Sequence, residues 1–87
     1  ETIINVQRVS EAACISLEHA GEIRRASSKV AMVGKRPTAT FTVFANPEYP
    51  FDDVVRVIEG ADKDFREASH TMEIDTVWKL HLDRITA

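Results

Sequence analysis

Apolar residues recur every three to four positions in the first segment, which is typical of an amphipathic helix. The stripe consists of Val6, Val9, Ala13, Leu17 and Ala20. It predicts a first helix from residue 3 to 19. Ser10 followed by Glu11 offers an alternative N-cap that would shorten this helix to residues 11–19. Gly21 comes just after the stripe, where a glycine commonly ends a helix.

The next two segments have the two-residue period of strands. From residue 23 to 33, Val30 and Met32 fall on one face, while Lys29 and Ala31 fall on the other. The sequence Gly34-Lys35-Arg36-Pro37 interrupts this pattern and predicts a turn. After the turn, polar and apolar residues alternate strictly from residue 38 to 43, which predicts the second strand of a β-hairpin. Its inward residues are predicted to be Ala39, Phe41 and Val43.

Two more elements follow a loop at residues 46–50, where two prolines rule out a strand. Residues 51 to 68 have a helical period, with an acidic start and Gly60 in the middle. The last segment alternates again and predicts a long, half-buried strand. Its even, apolar positions are Met72, Ile74, Trp78, Leu80 and Leu82.

The element order α-β-β-α-β predicts an α+β fold, a two-layer sandwich with a three-stranded mixed sheet and both helices on one face. We expect the strand order 2-1-3. The second and third strands would then run parallel to each other, with the first strand antiparallel between them. Trp78 is expected to be the largest residue of the core. Residues 1–87 are expected to form a single small domain, cut from a longer protein because the chain starts at Glu1.

Composition narrows the function only slightly. The 87 residues carry 14 acidic and 11 basic side chains, a formal charge of −3, which argues against nucleic acid as a partner. No apolar run is long enough to cross a bilayer, so this segment is not expected to insert into a membrane. The single Cys14 rules out an internal disulfide and lacks the second cysteine of a C-x-x-C metal-carrier loop.

No group of residues in the sequence indicates catalysis, and the chain is predicted not to be an enzyme. His19, His70 and His81 fall on different elements and are not expected to meet carboxylates at a metal or acid-base site. The adjacent Asp52 and Asp53 point about 100° apart on a helix and cannot share a proton site. We therefore expect no catalytic residues, no metal and no cofactor.

The exposed face of the sheet is the remaining candidate surface, because both helices are needed to cover the other face. Sheet faces and edges of this kind bind other chains by stacking or strand addition. The predicted interaction surface consists of Thr38, Thr40, Thr42, Phe44, Val77, Lys79 and His81. A protein partner or self-association is expected, with no small molecule.

An alternative interpretation is a small-ligand or regulatory module of ferredoxin-like shape. In this reading a cleft beside Tyr49, Phe51 and His70 would bind a metabolite. A ligand in such a pocket would perturb a compact cluster of residues, whereas a protein partner would perturb a broad face.

Three stretches form a further pattern: residues 18–26 (EHAGEIRRA), 36–43 (RPTATFTV) and 52–58 (DDVVRVI). Together they resemble the bacterial alkaline-shock protein family, in particular the C-terminal domain of its AmaP-type membrane anchor in the actinobacterial form. The chain departs from the family pattern at Ala20-Gly21-Glu22-Ile23, which replaces the usual Pro-Gly-Val-like turn, and at Asn46-Pro47, where an Asp-Pro pair would be expected. The resemblance implies a non-enzymatic domain of an envelope or alkaline stress response, in the cytoplasm at the inner face of the membrane. It carries over no site residues.

Overall fold

The computed structural model describes residues 2–82. Its elements, in chain order, are α1 (Thr2–Glu18), β1 (Ile23–Val33), β2 (Arg36–Ala45), α2 (Phe51–Ala68) and β3 (Asp75–Leu82). The predicted α+β class, the element order and the three-stranded mixed sheet are confirmed. Neither helix in this part of the chain is long and apolar enough to cross a membrane.

The first helix runs its full predicted length, so the shorter version that begins at Ser10 is wrong. Ser10 is fully buried instead, because its hydroxyl has partners on both sides. It donates to the Gln7 carbonyl oxygen at 2.9 Å and accepts from the Ser28 hydroxyl of β1 at 3.0 Å. A buried hydroxyl with two partners has little desolvation cost, which explains why a serine can lie in the buried stripe.

The hairpin forms as predicted, with β1 and β2 antiparallel. Gly34 in its turn has a φ of 63°, a conformation that glycine adopts without a steric cost. The register shifts between Ile23 and Arg25. After this irregularity, the even-numbered residues of β1 and the odd-numbered residues of β2 face the helices.

The strand order differs from the prediction. The order is β1-β2-β3, so β2 and not β1 is the central strand, and β3 pairs with it in parallel. The expected order 2-1-3 is therefore wrong. The physical reason lies in charge: β2 has no charged residue between Pro37 and Ala45, whereas both other strands carry several. Charged side chains are typical of edge strands, which expose an unpaired row of backbone groups.

Both helices cover the same face of the sheet, as predicted. Ser28 of β1 and Phe41 of β2 are register partners and share that face. Helix α1 contacts Ser28 through Ser10, and α2 contacts Phe41 through Phe65, whose ring centre lies 5.1 Å away. The buried apolar residues of this layer are Val6, Cys14, Leu17, Ile23, Ala26, Ala39, Phe41, Val43, Ala45, Val54 and Phe65.

Trp78 has a different place from the one predicted. It lies on β3, which is an edge strand, and it is half-buried while Phe41 and Phe65 are the largest fully buried residues. The indole stacks on the Phe41 ring with 4.2 Å between centroids and 12° between planes. Trp78 therefore closes the open side of the core.

Candidate functional site

The outer face of the sheet is a set of rows, each built from one residue of every strand. Register places Arg25, Phe44 and His81 in the first row, Ser27, Thr42 and Lys79 in the second, and Lys29, Thr40 and Val77 in the third. Ala31, Thr38 and Asp75 form the fourth row, and Val33 with Arg36 follows it at the start of β2. We call this surface the outer sheet face. It contains all seven residues of the predicted interaction surface, which remains a prediction.

The first row is an aromatic and cationic stack. The Phe44 and His81 rings lie parallel, with 4.7 Å between centroids and 16° between planes. The Arg25 guanidinium carbon lies 5.9 Å from the Phe44 ring centre on the neighbouring strand, within the range of a cation–π contact. Because Arg25 and His81 come from opposite flanks of β2, both faces of the Phe44 ring are occupied.

The threonines of the predicted surface are not equally accessible. Thr40 and Thr42 are half-buried, but Thr38 is buried with 8% exposure. Thr38 can therefore contribute little to a contact. Val77 of β3 is 42% exposed and is the most accessible apolar side chain in the middle of this face.

Sequence analysis missed the contribution of β1 to this face. Arg25 and Lys29 are both exposed there. The alternation in the sequence of β1 already put Lys29 on the opposite face from Val30, so the position of Lys29 could have been predicted. Arg25 could not be assigned, because the irregularity before it changes which residues of β1 face outward.

Charges on the outer sheet face are predominantly positive. Within the described strands, this face carries Arg25, Lys29, Arg36 and Lys79 against the single carboxylate of Asp75. That carboxylate already accepts a hydrogen bond from Arg36 Nε at 3.0 Å. The interaction with Asp75 raises the pKa of Arg36. Arg25, Lys29 and Lys79 therefore face no carboxylate on this surface.

A second polar cluster connects α2 to β3 on the inner side of the sheet. Trp78 Nε1 donates to Asp62 Oδ1 at 2.9 Å, and the Thr76 hydroxyl donates to the same oxygen at 3.1 Å. Arg66 Nε donates to Asp62 Oδ2 at 2.8 Å, and its Nη2 donates to the Thr76 hydroxyl at 2.7 Å. Partial burial raises the pKa of Asp62, but these hydrogen bonds outweigh it and hold the pKa below its ordinary value. The cluster is saturated, so its role is structural.

The three histidines do not converge. His19 follows the end of α1, His70 Nδ1 lies 2.9 Å from the Glu67 carbonyl oxygen after α2, and His81 stacks on Phe44. Residues 2–82 hold no group of three or more His, Cys, Asp or Glu side chains that could bind a metal ion. Cys14 is buried, and its burial raises the pKa of the thiol, as do Glu18 and Glu11, against a hydrogen bond with Ser28. A thiol in this setting is a poor nucleophile.

The cleft of the small-ligand alternative is absent from the described residues. Tyr49 and Phe51 lie at the start of α2 and His70 beyond its end, which puts them roughly 25 Å apart along the helix axis. Tyr49 instead lies over the backbone of Gly21, where a Cβ would come within 2.6 Å of its hydroxyl oxygen. A groove of about 460 Å³ does exist, but it runs between α1 and α2 past Gly60. Small and apolar side chains line most of it, including Ala12, Ala13, Ala61 and Phe65.

The architecture defines a class of small α+β domain with precedents among solved structures. One is the C-terminal domain of the magnetosome protein MamB from Desulfamplus magnetovallimortis BW-1, with a TM-score of 0.69 and 12% identity, covering 92% of this chain and 99% of that one. A variant of the MamM C-terminal domain has a TM-score of 0.63 at 12% identity, covering 93% of this chain and 99% of that one. A nickel form of another MamM variant has a TM-score of 0.61 at 14% identity, covering 88% of this chain and 98% of that one. No protein-family model and no curated protein match the chain.

These comparisons correct two expectations. The resemblance to the alkaline-shock protein family is wrong, because the similar folds are MamB and MamM domains and no family model matches. The association with alkaline or envelope stress falls with it. The exclusion of small ligands also loses its support, since domains of the same fold include a nickel form and a copper form of MamM variants. At 12–14% identity the likeness establishes the fold alone.

Proposed function

We propose that the chain is a non-catalytic regulatory domain that works by binding a protein chain, of the type found at the C-terminus of cation diffusion facilitators. The observation that carries the proposal is the agreement with the MamB domain, which extends over 92% of this chain and 99% of that domain. All five elements of this chain are therefore accounted for by one regulatory fold. In such a transporter the domain would lie on the cytoplasmic side of the membrane.

The outer sheet face is the surface we assign to protein binding. The inner face is covered by two helices, so its apolar residues are already buried against each other. The outer face has half-buried threonines, a stacked aromatic row and the exposed Val77. A flat surface with this mixture is typical of a modest protein interface.

A cation site within one copy does not fit the residues that the structure describes. Apart from Asp75, which is paired with Arg36, His81 is the one metal-ligating residue of the outer sheet face, and its neighbours there are Phe44, Lys79 and Arg25. The positive charges of Lys79 and Arg25 oppose the binding of a metal cation beside them. The proposal therefore rests on protein association and assigns no metal to this chain.

Sedimentation velocity over a range of protein concentrations tests the proposal. We expect reversible self-association, weakened by roughly tenfold in Val77→Ser, since an apolar side chain then loses its burial in the interface. The matched control is Ile15→Ser on α1, where the native side chain is 60% exposed on the other side of the molecule. A chain that stays monomeric up to about 1 mM, the weak end of specific association, would contradict the proposal. So would association that responds to Ile15→Ser and not to Val77→Ser.

A further inference from the structure

The distribution of charge over the two sides of the molecule is unequal. The outer sheet face holds four cations and one carboxylate, a formal charge of +3 with His81 neutral. The whole chain has a formal charge of −3, so the rest of it carries −6. Helix α2 alone contains six acidic and three basic residues. The described strands therefore present a basic outer face on a chain that is acidic as a whole.

The unneutralised cations lie close enough to act together. Arg25 and Lys29 are four residues apart on β1, about 13 Å along the strand, and Lys79 lies two strands away at roughly 10 Å. A point between the three lies roughly 7 Å from each of them, which is within the Debye length at physiological salt, about 8 Å. The three charges consequently produce one positive field over the threonines and Phe44 between them.

This field disfavours a symmetric contact between two outer sheet faces. Each copy would bring +3 against +3, and like charges that face each other across an interface are unfavourable. Self-association through Val77 would therefore place this face on a different, acidic surface of the second copy. The complement of this surface is a group of carboxylates at similar spacing. Asp75 already shows this pairing on the same face with Arg36.

On the basis of the proposed function, we infer that the outer sheet face is the docking site for an acidic segment of a partner protein. Carboxylates of that segment pair with Arg25, Lys29 and Lys79, and its backbone or apolar side chains cover Thr40, Thr42 and Val77. The segment is protein and not membrane, because three cations fall short of the four to eight basic residues that anionic lipid surfaces require. It is not nucleic acid, because Arg25 and His81 occupy both faces of the Phe44 ring and leave no platform for a base.

Fluorescence anisotropy with two labelled peptides tests the inference. One is an eight-residue peptide of alternating Glu and Val, and the other has Gln in place of every Glu. We expect the acidic peptide to bind about tenfold more tightly, since each paired carboxylate adds a modest increment. Raising the salt concentration from about 50 to 300 mM should weaken the binding of the acidic peptide and leave the affinity for the neutral peptide unchanged.

Single charge removals identify the surface. Lys29→Gln and Lys79→Gln should each weaken the acidic peptide by about two- to fivefold, with unchanged circular dichroism. Lys63→Gln is the matched control, because it removes an exposed lysine from α2 on the other side of the molecule. It should leave binding unchanged.

The results that would overturn the inference are distinct from those that overturn the proposed function. Equal affinity for both peptides, no binding of either, or equal losses in all three lysine variants would each reject an acidic partner at this face. Tighter binding to phosphatidylserine vesicles than to the peptide, weakened by the same lysine variants, would show that the outer sheet face binds a membrane and not an acidic segment. Self-association that strengthens with salt and in Lys79→Gln would show two outer sheet faces in contact. That last result would reject the acidic partner while supporting protein association.

Discussion

Two phenylalanines of β2, three residues apart, show how differently the two faces of the sheet work. Phe41 and Phe44 each stack on the β3 residue that the parallel register places beside them, Trp78 and His81 respectively. The geometries are similar, with interplanar angles of 12° and 16°. Phe41 is fully buried under α2, whereas Phe44 is half-buried on the outer sheet face.

The comparison shows that similar aromatic pairs differ in exposure according to what covers them: a pair under a helix belongs to the core, and a pair without a helix over it stays partly exposed. On the inner face the second partner of each ring belongs to a helix, as Phe65 does for Phe41. On the outer sheet face the second partner of Phe44 is Arg25, a charged side chain that stays hydrated. The inner face therefore holds the fold together, and the outer face is the one to which we assign binding of another chain.

The largest effect is expected from breaking the inner pair. Phe41→Ala should lower the free energy of unfolding by about 3–5 kcal/mol, because it opens a cavity among fully buried neighbours. Phe44→Ala is the matched control on the same strand and should cost about 1–2 kcal/mol, since part of the ring is already hydrated. Urea unfolding followed by circular dichroism measures both. Equal losses would contradict the contrast between the two faces.

The Asp62 cluster tests how β3 is attached to the inner layer. Asp62→Asn should cost about 1–3 kcal/mol at neutral pH, because charge-assisted bonds from Arg66 and Trp78 are weakened. The indole fluorescence of Trp78 should also change, as its Nε1 partner loses charge. A variant as stable as the native chain would show that this cluster does not hold the edge strand.

The same variant gives a pH dependence of known sign. The folded pKa of Asp62 lies below its ordinary value of 3.8, so the carboxylate stabilises the fold fully above pH 3.8 and loses this effect as the pH falls through the folded pKa. The stability difference between native chain and Asp62→Asn should thus be constant near neutrality and shrink at acidic pH. Thermal unfolding over a pH series measures it, and a difference that grows on acidification would contradict the assignment.

In the hairpin turn, the effect of a substitution on stability should come from backbone conformation and not from side-chain packing. Gly34→Ala places a Cβ on a residue with a φ of 63°, where no heavy atom lies within 4 Å of it. The expected loss is about 1 kcal/mol from the conformation alone. Gly60→Ala on α2 is the control, since its Cβ also meets nothing within 4 Å, and it should stabilise by up to about 1 kcal/mol. Opposite signs in thermal unfolding would support this interpretation, and equal signs would refute it.

The smallest effect is expected on the outer sheet face itself. Arg36→Gln removes the ion pair between Arg36 and Asp75, whose side chains are both about half exposed, and should change the free energy of unfolding only slightly because exposed pairs contribute little. The difference should vanish in high salt because exposed pairs are screened. A loss comparable with that of Asp62→Asn would mean that this face also contributes to the fold.

Much of this molecule could be predicted from the order of its residues. The periods of apolar positions placed both helices and both hairpin strands within a residue or two, because helix and strand geometry act over a few neighbours. Alternation also placed Ala39, Phe41 and Val43 inside, where all three are fully buried. The same alternation placed the seven residues of the predicted interaction surface together on the outer sheet face, and their role in binding remains a prediction.

Only the tertiary structure decided the strand order, the partners of Asp62 and the charge of the outer sheet face. Exchanging the strand order keeps the same residues on the inner face, so the hydrophobic pattern cannot distinguish the alternatives. The contact of Asp62 with Trp78 joins residues 16 apart, and the irregularity before Arg25 fixes which side of β1 faces outward. These features depend on which elements lie side by side, and that is settled by packing the whole chain at once.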